Sequence, residues 1–332
     1  MEKTREIWID FAKGLSIILV VMGHSGDGLV DHYLGWFRIP FFFIVSGFLF
    51  KAISRETFPS WSKKRVQQLI VPYIAYGIST ALIIFIVNGA DIMGFGKNLM
   101  KLAYGGQVLK GEFGVYWFIT CLLITQVLFG FLSRFSLKTE VTIIAFLYVI
   151  SHSFNWTQYL IPWNVDSVFL TIIYYAIGYH SKELLISLIK KPMIVIASFL
   201  LSALFVALDY SKALPFTLDI KYNIHSYPVL DIIIPLSLVF AILVCCYYIS
   251  KVVPFRFNPI ARLGTMTITI MYLHILTNIA IKKIFNVEYG FITYTVLGVT
   301  IPLLAHLIIK NIPLASKYFI GTNNKPVVSR AS

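Results

Sequence analysis

Two polar side chains, Lys13 and His24, stand at opposite ends of one apolar stretch near the start of the chain. Eleven positions separate them, which on an α-helix is a rise of roughly 16 Å and a net rotation of about 20°. Both side chains would therefore lie on one helix face. If this helix crosses a membrane, that face carries a cation at one end and a proton-transfer group at the other. Ionisable groups within a membrane are expected to serve a function.

His24 and Asp10 are the residues of this stretch that could move a proton. Histidine titrates near neutral pH and suits general-base catalysis, and the polar residues 25–27 that follow would let water reach it. Fourteen positions bring Asp10 back to within about 40° of the His24 face. His24 could equally be an interfacial histidine that is bonded to a loop carbonyl.

Lys13 has a possible partner in Asp10, three positions earlier. An ion pair between them would lower the cost of inserting both charges, and for this pair alone we favour that interpretation. The functional alternative is a contact between Lys13 and an anion, such as a phosphate entering from the cytoplasm.

More cations stand near the next two apolar stretches. Arg38, in RIPFFFIVSGFLF, could reach the membrane interface, or it could stabilise an oxyanion or bind a carboxylate or phosphate. Gly47 in the same stretch is expected to allow close helix packing. Lys63, Lys64 and Arg65 precede the third stretch. Such a cluster is usually a topology signal, and it is also where a nucleotide on the cytoplasmic side would bind.

Four other residues are candidates for contacts with a substrate, namely Glu112, Tyr116, Trp117 and His274. The two aromatic residues also fit a membrane-interface belt, and His274 lies deep in an apolar stretch, where it needs a partner. Two aromatic and polar segments, 152–166 and 209–228, could stack on carbohydrate or could simply anchor the chain at the interface.

Composition identifies the class of protein. The chain is 58% hydrophobic and 13% charged, with a mean hydropathy of +0.79, whereas soluble domains carry about 25% charged residues. The net charge of +13 does not indicate nucleic-acid binding, because the basic residues lie between apolar spans, where they set topology and contact anionic lipid. The three cysteines lie within apolar runs and predict neither a disulfide framework nor a metal site.

The apolar pattern predicts an all-α bundle of about ten transmembrane helices. The predicted spans are 7–24, 36–52, 67–88, 113–132, 141–152, 167–181, 193–208, 228–249, 264–281 and 290–309. Lys and Arg concentrate in the connecting segments that would be cytoplasmic if both termini are cytoplasmic. We therefore expect a transmembrane domain over 1–312 and a short polar cytoplasmic tail over 313–332. We expect the first span to be a retained helix and not a cleaved signal peptide. The Gly-rich segment 89–112 is expected to be an outside loop that is mobile or re-entrant.

These motifs together resemble the acyltransferase-3 family of integral membrane acyltransferases, in particular its bacterial branch of polysaccharide and oligosaccharide O-acetyltransferases. In that family a basic residue, ten intervening residues and a histidine lie on the first helix, as Lys13 and His24 do. RIPFFFIVSGFLF, KKRVQQLIVPY, the Trp117-Phe118 pair, YYAIGYHSK and LGTMTITIMYLH follow in the family's order. One departure is Gln68, where the family often has a second arginine.

The resemblance implies a ten-helix bundle in the bacterial cytoplasmic membrane that uses acyl-CoA, usually acetyl-CoA, from the cytoplasm. The acceptor would be a carbohydrate or a glycolipid. His24 would be the catalytic base, with Arg38 shaping the transfer site and Asp10 a third catalytic candidate. Lys13, Lys64 and Arg65 would contact the phosphates of the donor.

The leading hypothesis is a membrane O-acetyltransferase that modifies a cell-surface or lipid-linked sugar, without a metal or nucleic-acid partner. A thioester donor and a sugar hydroxyl need a base, which deprotonates the hydroxyl or relays the acyl group, and a cation for the oxyanion. The alternative is a transporter or flippase for a glycolipid or a small anion. A purely structural membrane protein would not account for the face shared by Lys13 and His24.

Overall fold

The computed structural model describes residues 7–253 and 258–321, and within them α-helices form almost the whole fold. The helices are α1 Ile7–Met22, α2 Gly28–Phe48, α3 Phe58–Val87, α4 Ile92–Tyr104, α5 Trp117–Leu132, α6 Leu137–Ser153, α7 Val165–His180, α8 Lys182–Leu188, α9 Pro192–Tyr210, α10 Leu230–Val252, α11 Pro259–Leu263, α12 Thr267–Phe285, α13 Phe291–Asn311 and α14 Pro313–Ala315. Two short strands, β1 Leu218–Asp219 and β2 Ile224–His225, pair as an antiparallel hairpin. The expectation of an all-α bundle is therefore confirmed apart from this hairpin.

Each predicted span coincides with one long helix. In the described part of the chain, six helical segments are long and apolar enough to cross a membrane: Phe58–Val87, Gly111–Leu132, Pro192–Tyr210, Leu230–Val252, Thr267–Phe285 and Phe291–Asn311. The helices α1, α6 and α7 have 16, 17 and 16 residues, fewer than the roughly 20 of a typical span. The helix α2 is interrupted by charged residues. Ten spans and the sides of the termini stay predictions.

The helix α9 has the pattern of a helix that faces lipid. Its buried residues are the polar Ser198, Ser202 and Asp209. Large apolar side chains on its other faces, such as Leu200 and Leu204, are more than half exposed. In water this arrangement would be unfavourable, whereas in a bilayer apolar side chains belong on the outside and polar groups pack inside.

The helix α1 lies at the centre of the bundle and packs against α2, α10, α11, α12 and α13. Two glycines let α1 approach α11 and the residue after it backbone to backbone. A Cβ on Gly14 would lie 1.8 Å from the carbonyl oxygen of Ile260, and one on Gly264 would lie 1.8 Å from that of Asp10. Only glycine fits such contacts, which hold the face bearing Lys13 in one place.

The helices α2 and α7 cross at a similar contact. A Cβ on Gly47 would lie 2.0 Å from the carbonyl oxygen of Tyr175, so the expected close packing at Gly47 is confirmed. The helix α2 begins well before the predicted span, because the side chain of Asp27 caps it by accepting the backbone N–H of Val30 at 3.0 Å. Arg38 therefore lies in the middle of α2.

Two segments that were expected to be irregular are partly helical. The Gly-rich segment contains α4, which packs against α3. The predicted tail begins with α14 and the π-helical turn Ser316–Ile320, where the ring of Phe319 lies 4.9 Å from that of Tyr76. Residues 322–332 of that tail lie outside the described residues.

Candidate active site

A cavity of about 890 Å³ lies beside α1 and reaches from Lys13 to His24. Four side chains of α1 and the turn after it, Lys13, Ile17, Val20 and His24, line it at the helical spacing of four, three and four residues. The other walls come from α2, α5, the start of α12 and the hairpin. The volume lies in the range of roughly 300–1,000 Å³ that is typical of ligand pockets.

Lys13 is the cation at one end of the cavity, and its side chain is three-quarters buried. Its Nζ lies 2.8 Å from Oδ1 of Asp10, which is almost fully buried. The expected ion pair is thus present, and Lys13 still lines the cavity. Asp10 lies roughly 21 Å along the helix from His24, too far to exchange a proton with it directly.

The basic cluster of α3 lies beside this end rather than in the cavity wall. Leu69 lines the cavity, and Arg65 precedes it by one helical turn. The guanidinium of Arg65 donates to Oε1 of Gln68 at 3.2 Å and lies 5.6 Å from the ring centre of Trp61. Lys64 is exposed. Gln68, the residue that departs from the family pattern, therefore orients Arg65.

At the other end, His24 is held in one orientation. Its Nδ1 lies 2.7 Å from the carbonyl oxygen of Val20, so this nitrogen donates and Nε2 is left as the acceptor. The ring of His274 lies 5.1 Å away, at 60° to that of His24. His274 is fully buried and its Nδ1 donates to the carbonyl oxygen of Ile270, while no described residue bonds its Nε2.

Arg38 reaches the same end of the cavity from α2. Its Nη2 donates to Oδ1 of Asp31 at 2.6 Å, and its buried Nη1 has no hydrogen-bond partner among the described residues. A Cβ on Gly23 would lie only 1.9 Å from Nη1, so the guanidinium packs on the backbone directly before His24. The structure thus brings together a histidine from the turn after α1 and an arginine from the middle of α2.

The hairpin adds a cation that the sequence did not single out. Lys221 lines the cavity, and its Nζ donates to the carbonyl oxygens of Leu109 at 2.6 Å and Gly114 at 3.3 Å. Burial lowers the pKa of Lys221 to about 8. The carboxylate of Asp219 accepts the backbone N–H of Lys221 at 3.0 Å and shapes the turn. The only sequence signal for it was the mixture of Asp, Lys and aromatic residues in segment 209–228.

The residues predicted to contact a substrate divide into two groups. Trp117 lines the cavity, and His274 lies next to His24. Tyr116 lies in the core instead, where its hydroxyl is 3.0 Å from Oγ1 of Thr80. Glu112 is half-buried and is not part of the cavity wall, although the adjacent Gly111 is.

This end of the cavity has the groups that acyl transfer requires. The Nε2 of His24 can accept a proton, and the guanidinium of Arg38 can stabilise the negative oxygen that forms when a thioester or ester carbonyl is attacked. The opposite end offers Lys13, and Arg65 nearby, to an anionic donor. A cavity with a candidate base and an arginine at one end and Lys13 at the other makes the protein a candidate for a membrane acyltransferase.

Comparison with known proteins establishes the family. A family model described as an acyltransferase domain matches residues 6–310, nearly the whole chain. The chain therefore belongs to the acyltransferase-3 family, and it is a multi-pass membrane acyltransferase. It is also 30% identical over 149 residues to the Nodulation protein NolL of Mesorhizobium japonicum, a match covering 40% of this chain and 37% of that protein. No solved structure matches the chain at a significant level.

Proposed function

We propose that this protein is an O-acetyltransferase of the bacterial cytoplasmic membrane that transfers acetyl from acetyl-CoA to a hydroxyl of a cell-surface or lipid-linked sugar. The observation that carries the proposal is the cavity along α1, with Lys13 at one end and His24 at the other. A donor held at the cationic end can extend its reactive thioester along this cavity towards the histidine.

The donor enters from the cytoplasm at the Lys13 end. Lys13, Lys64 and Arg65 bind the phosphates of CoA, and Asp10 positions Lys13. The pantetheine arm is long, thin and largely uncharged, and it lies along the apolar side chains of Ile17 and Val20. This arrangement keeps both termini on the donor's side, in line with the positive-inside rule.

The reaction takes place beside His24. The hydroxyl oxygen of the sugar attacks the thioester carbonyl carbon while Nε2 of His24 takes the hydroxyl proton. Arg38 stabilises the oxyanion of the tetrahedral intermediate. The carbon–sulfur bond then breaks, the acetyl ester is released, and the CoA thiolate receives the proton from His24. His274 packs against the ring of His24 and helps to hold it in place.

The acceptor enters at the hairpin end. Trp117 and the hairpin residue Tyr222 line this part of the cavity and offer aromatic faces to a sugar ring. Lys221, with a pKa lowered to about 8, is a donor for hydroxyl or phosphate oxygens of the acceptor. An acceptor linked to a lipid would reach this site from the bilayer surface.

The test is transfer of radiolabelled acetyl from acetyl-CoA to the host glycan by membranes that contain the protein. The substitution His24→Ala should lower the transfer rate by at least about 100-fold, because a general base raises the rate of a reaction by roughly 10²–10⁴-fold. The matched control is His180→Gln on α7, whose amide can still donate to Glu140 and which does not line the cavity. Both variants should accumulate in the membrane as the wild type does.

Two outcomes would contradict the proposal. A His24→Ala protein that transfers acetyl at the wild-type rate would remove His24 as the base. If no acyl donor labels the glycan while the protein moves a sugar-lipid across the membrane, the transporter alternative would be correct. Glycan NMR of the host with and without the gene then identifies the acyl group and the acceptor together.

A further inference from the structure

A second cluster of polar side chains lies at the hairpin end of the molecule, separate from the cavity wall. It consists of His152 at the end of α6, His225 of β2 and Asp231 in the first turn of α10, and one ligand atom of each lies within 4.8 Å of the others. The Nε2 of His152 is 2.8 Å from Oδ2 of Asp231. The rings of His152 and His225 have centres 4.1 Å apart.

The surroundings orient two of these groups. The Nδ1 of His152 lies 3.0 Å from the carbonyl oxygen of Tyr148, so Nδ1 can donate there while Nε2 faces the carboxylate of Asp231. The hydroxyl of Tyr148 donates to the other carboxylate oxygen, Oδ1, at 2.7 Å. Histidine and carboxylate ligands of metal ions are commonly held by such outer hydrogen bonds.

Two features of the cluster call for a cation. The carboxylate of Asp231 is fully buried, and a buried carboxylate needs positive charge close by. The Nε2 of His225 is also buried, and none of the described residues bonds it. A proton shared by His152 and Asp231 would satisfy the first feature and leave the second unexplained.

The same chain contains simpler histidine–carboxylate pairs for comparison. His32 lies 2.9 Å from Asp209, and His180 lies 2.7 Å from Glu140. In the described part of the chain, only the group around Asp231 brings three potential metal ligands together. The second histidine is therefore the feature that distinguishes a metal site from an ordinary pair.

We propose that His152, His225 and Asp231 bind a divalent transition-metal ion of the Zn²⁺ type, with water in the remaining position. Two imidazoles and a carboxylate are ligands that Zn²⁺ commonly uses. Tetrahedral ligands at 2.0–2.1 Å from zinc would be about 3.3 Å apart, so the three groups need only small side-chain movements.

The metal would fasten β2 to α6 and α10. Because β1 pairs with β2, with Asp219 opposite Ile224, the same ion would also fix the turn that carries Lys221 over the cavity. The site is thus a structural metal site that stabilises one wall of the candidate active site, and it does not itself contact the reacting atoms.

The test uses the full chain in lipid nanodiscs, stripped with a chelator, dialysed and titrated with Zn²⁺ or Co²⁺. Bound metal is measured by mass spectrometry and Co²⁺ by its visible absorption, and unfolding is followed with and without Zn²⁺. We expect about one metal ion per chain, and His225→Ala should bind at least about tenfold more weakly. The matched control, His180→Gln, keeps a donor for Glu140 and should bind metal as the wild type does.

Two results would overturn the proposal. In one, the wild type binds no more metal than His225→Ala and gains no thermal stability from Zn²⁺, so the cluster is only an ion pair. In the other, His180→Gln loses as much metal as His225→Ala, so the loss is not specific to the cluster around Asp231. His225→Gln keeps a polar side chain of similar length and should reproduce the loss, which separates lost ligation from misfolding.

Discussion

At the scale of single residues, the contact between Gly23 and Arg38 leaves no room for a side chain at position 23 of the candidate active site. The guanidinium occupies the space that a side chain on residue 23 would need, and His24 is the next residue. The chain thus places a candidate base and a candidate oxyanion stabiliser together through the absence of one Cβ. Asp31 holds the opposite edge of the guanidinium at 2.6 Å.

This contact predicts that Gly23→Ala will damage catalysis more than stability. The new methyl group would lie 1.9 Å from Nη1 and must displace the guanidinium of Arg38, the proposed oxyanion stabiliser, from its place beside His24. Loss of one oxyanion donor costs roughly 10²–10³-fold in kcat. We expect kcat for acetyl transfer to fall at least about tenfold, with a smaller change in KM for acetyl-CoA, whose phosphates bind at the far end of the cavity.

Gly96→Ala is the control for this substitution. A Cβ at position 96 in α4 meets no atom within 4 Å, so the protein should transfer acetyl at the wild-type rate. An unchanged kcat in Gly23→Ala would contradict the proposed role of Arg38 as the oxyanion stabiliser.

At the scale of elements, α1 meets α11 backbone to backbone, in addition to burying its apolar side chains in the core. The backbones touch at Gly14 and Gly264, and the carbonyl oxygens they meet belong to Ile260 and Asp10. Lys13 and Asp10 lie at this contact, so the same packing that anchors α1 also positions the cation of the cavity.

The contact predicts that Gly14→Ala will destabilise the protein. A methyl group cannot fit 1.8 Å from a backbone oxygen, and overpacking of this kind costs about 1–3 kcal/mol. Thermal unfolding in detergent should show a lower midpoint for Gly14→Ala than for Gly28→Ala, where a Cβ meets nothing within 4 Å. Equal midpoints in the two variants would show that α1 and α11 do not pack this closely.

At the scale of the whole molecule, the two ends of the cavity carry different groups, Lys13 at one and His24 at the other. This difference gives acyl transfer through the cavity a direction. The connecting segments richest in Lys and Arg lie near the Lys13 end, and the hairpin lies near the His24 end. If both termini are cytoplasmic, donor and acceptor approach the site from opposite sides of the membrane. Acetyl transfer across the bilayer would then need no separate transporter.

This direction can be tested on α9, whose two ends are exposed. In a Cys245→Ala background, Ala213→Cys should react with a membrane-impermeant maleimide in intact cells, and Lys190→Cys should react only after the membrane is opened. The helix Pro192–Tyr210 lies between the two positions. Labelling of Lys190→Cys in intact cells, with protection of Ala213→Cys, would reverse the proposed orientation.

The sequence by itself determined the features that follow from local periodicity and composition. Ten apolar runs each became one helix, and the spacing of Lys13 and His24 placed both on one face, because an α-helix repeats every 3.6 residues whatever surrounds it. The start of α2 was missed by eight residues. Gly28, Asp31 and His32 interrupt the apolar pattern there, yet the side chain of Asp27 caps a helix that begins at Gly28.

Only the tertiary structure decided which distant residues meet. Arg38 beside Gly23, His274 beside His24, and Lys221 over the cavity depend on how helices and the hairpin pack, and no local pattern encodes those contacts. Tyr116 shows the reverse case, since its motif suggested a substrate contact while packing placed it in the core. Spacing fixes the face of a helix on which a side chain lies, and packing alone fixes what that face meets.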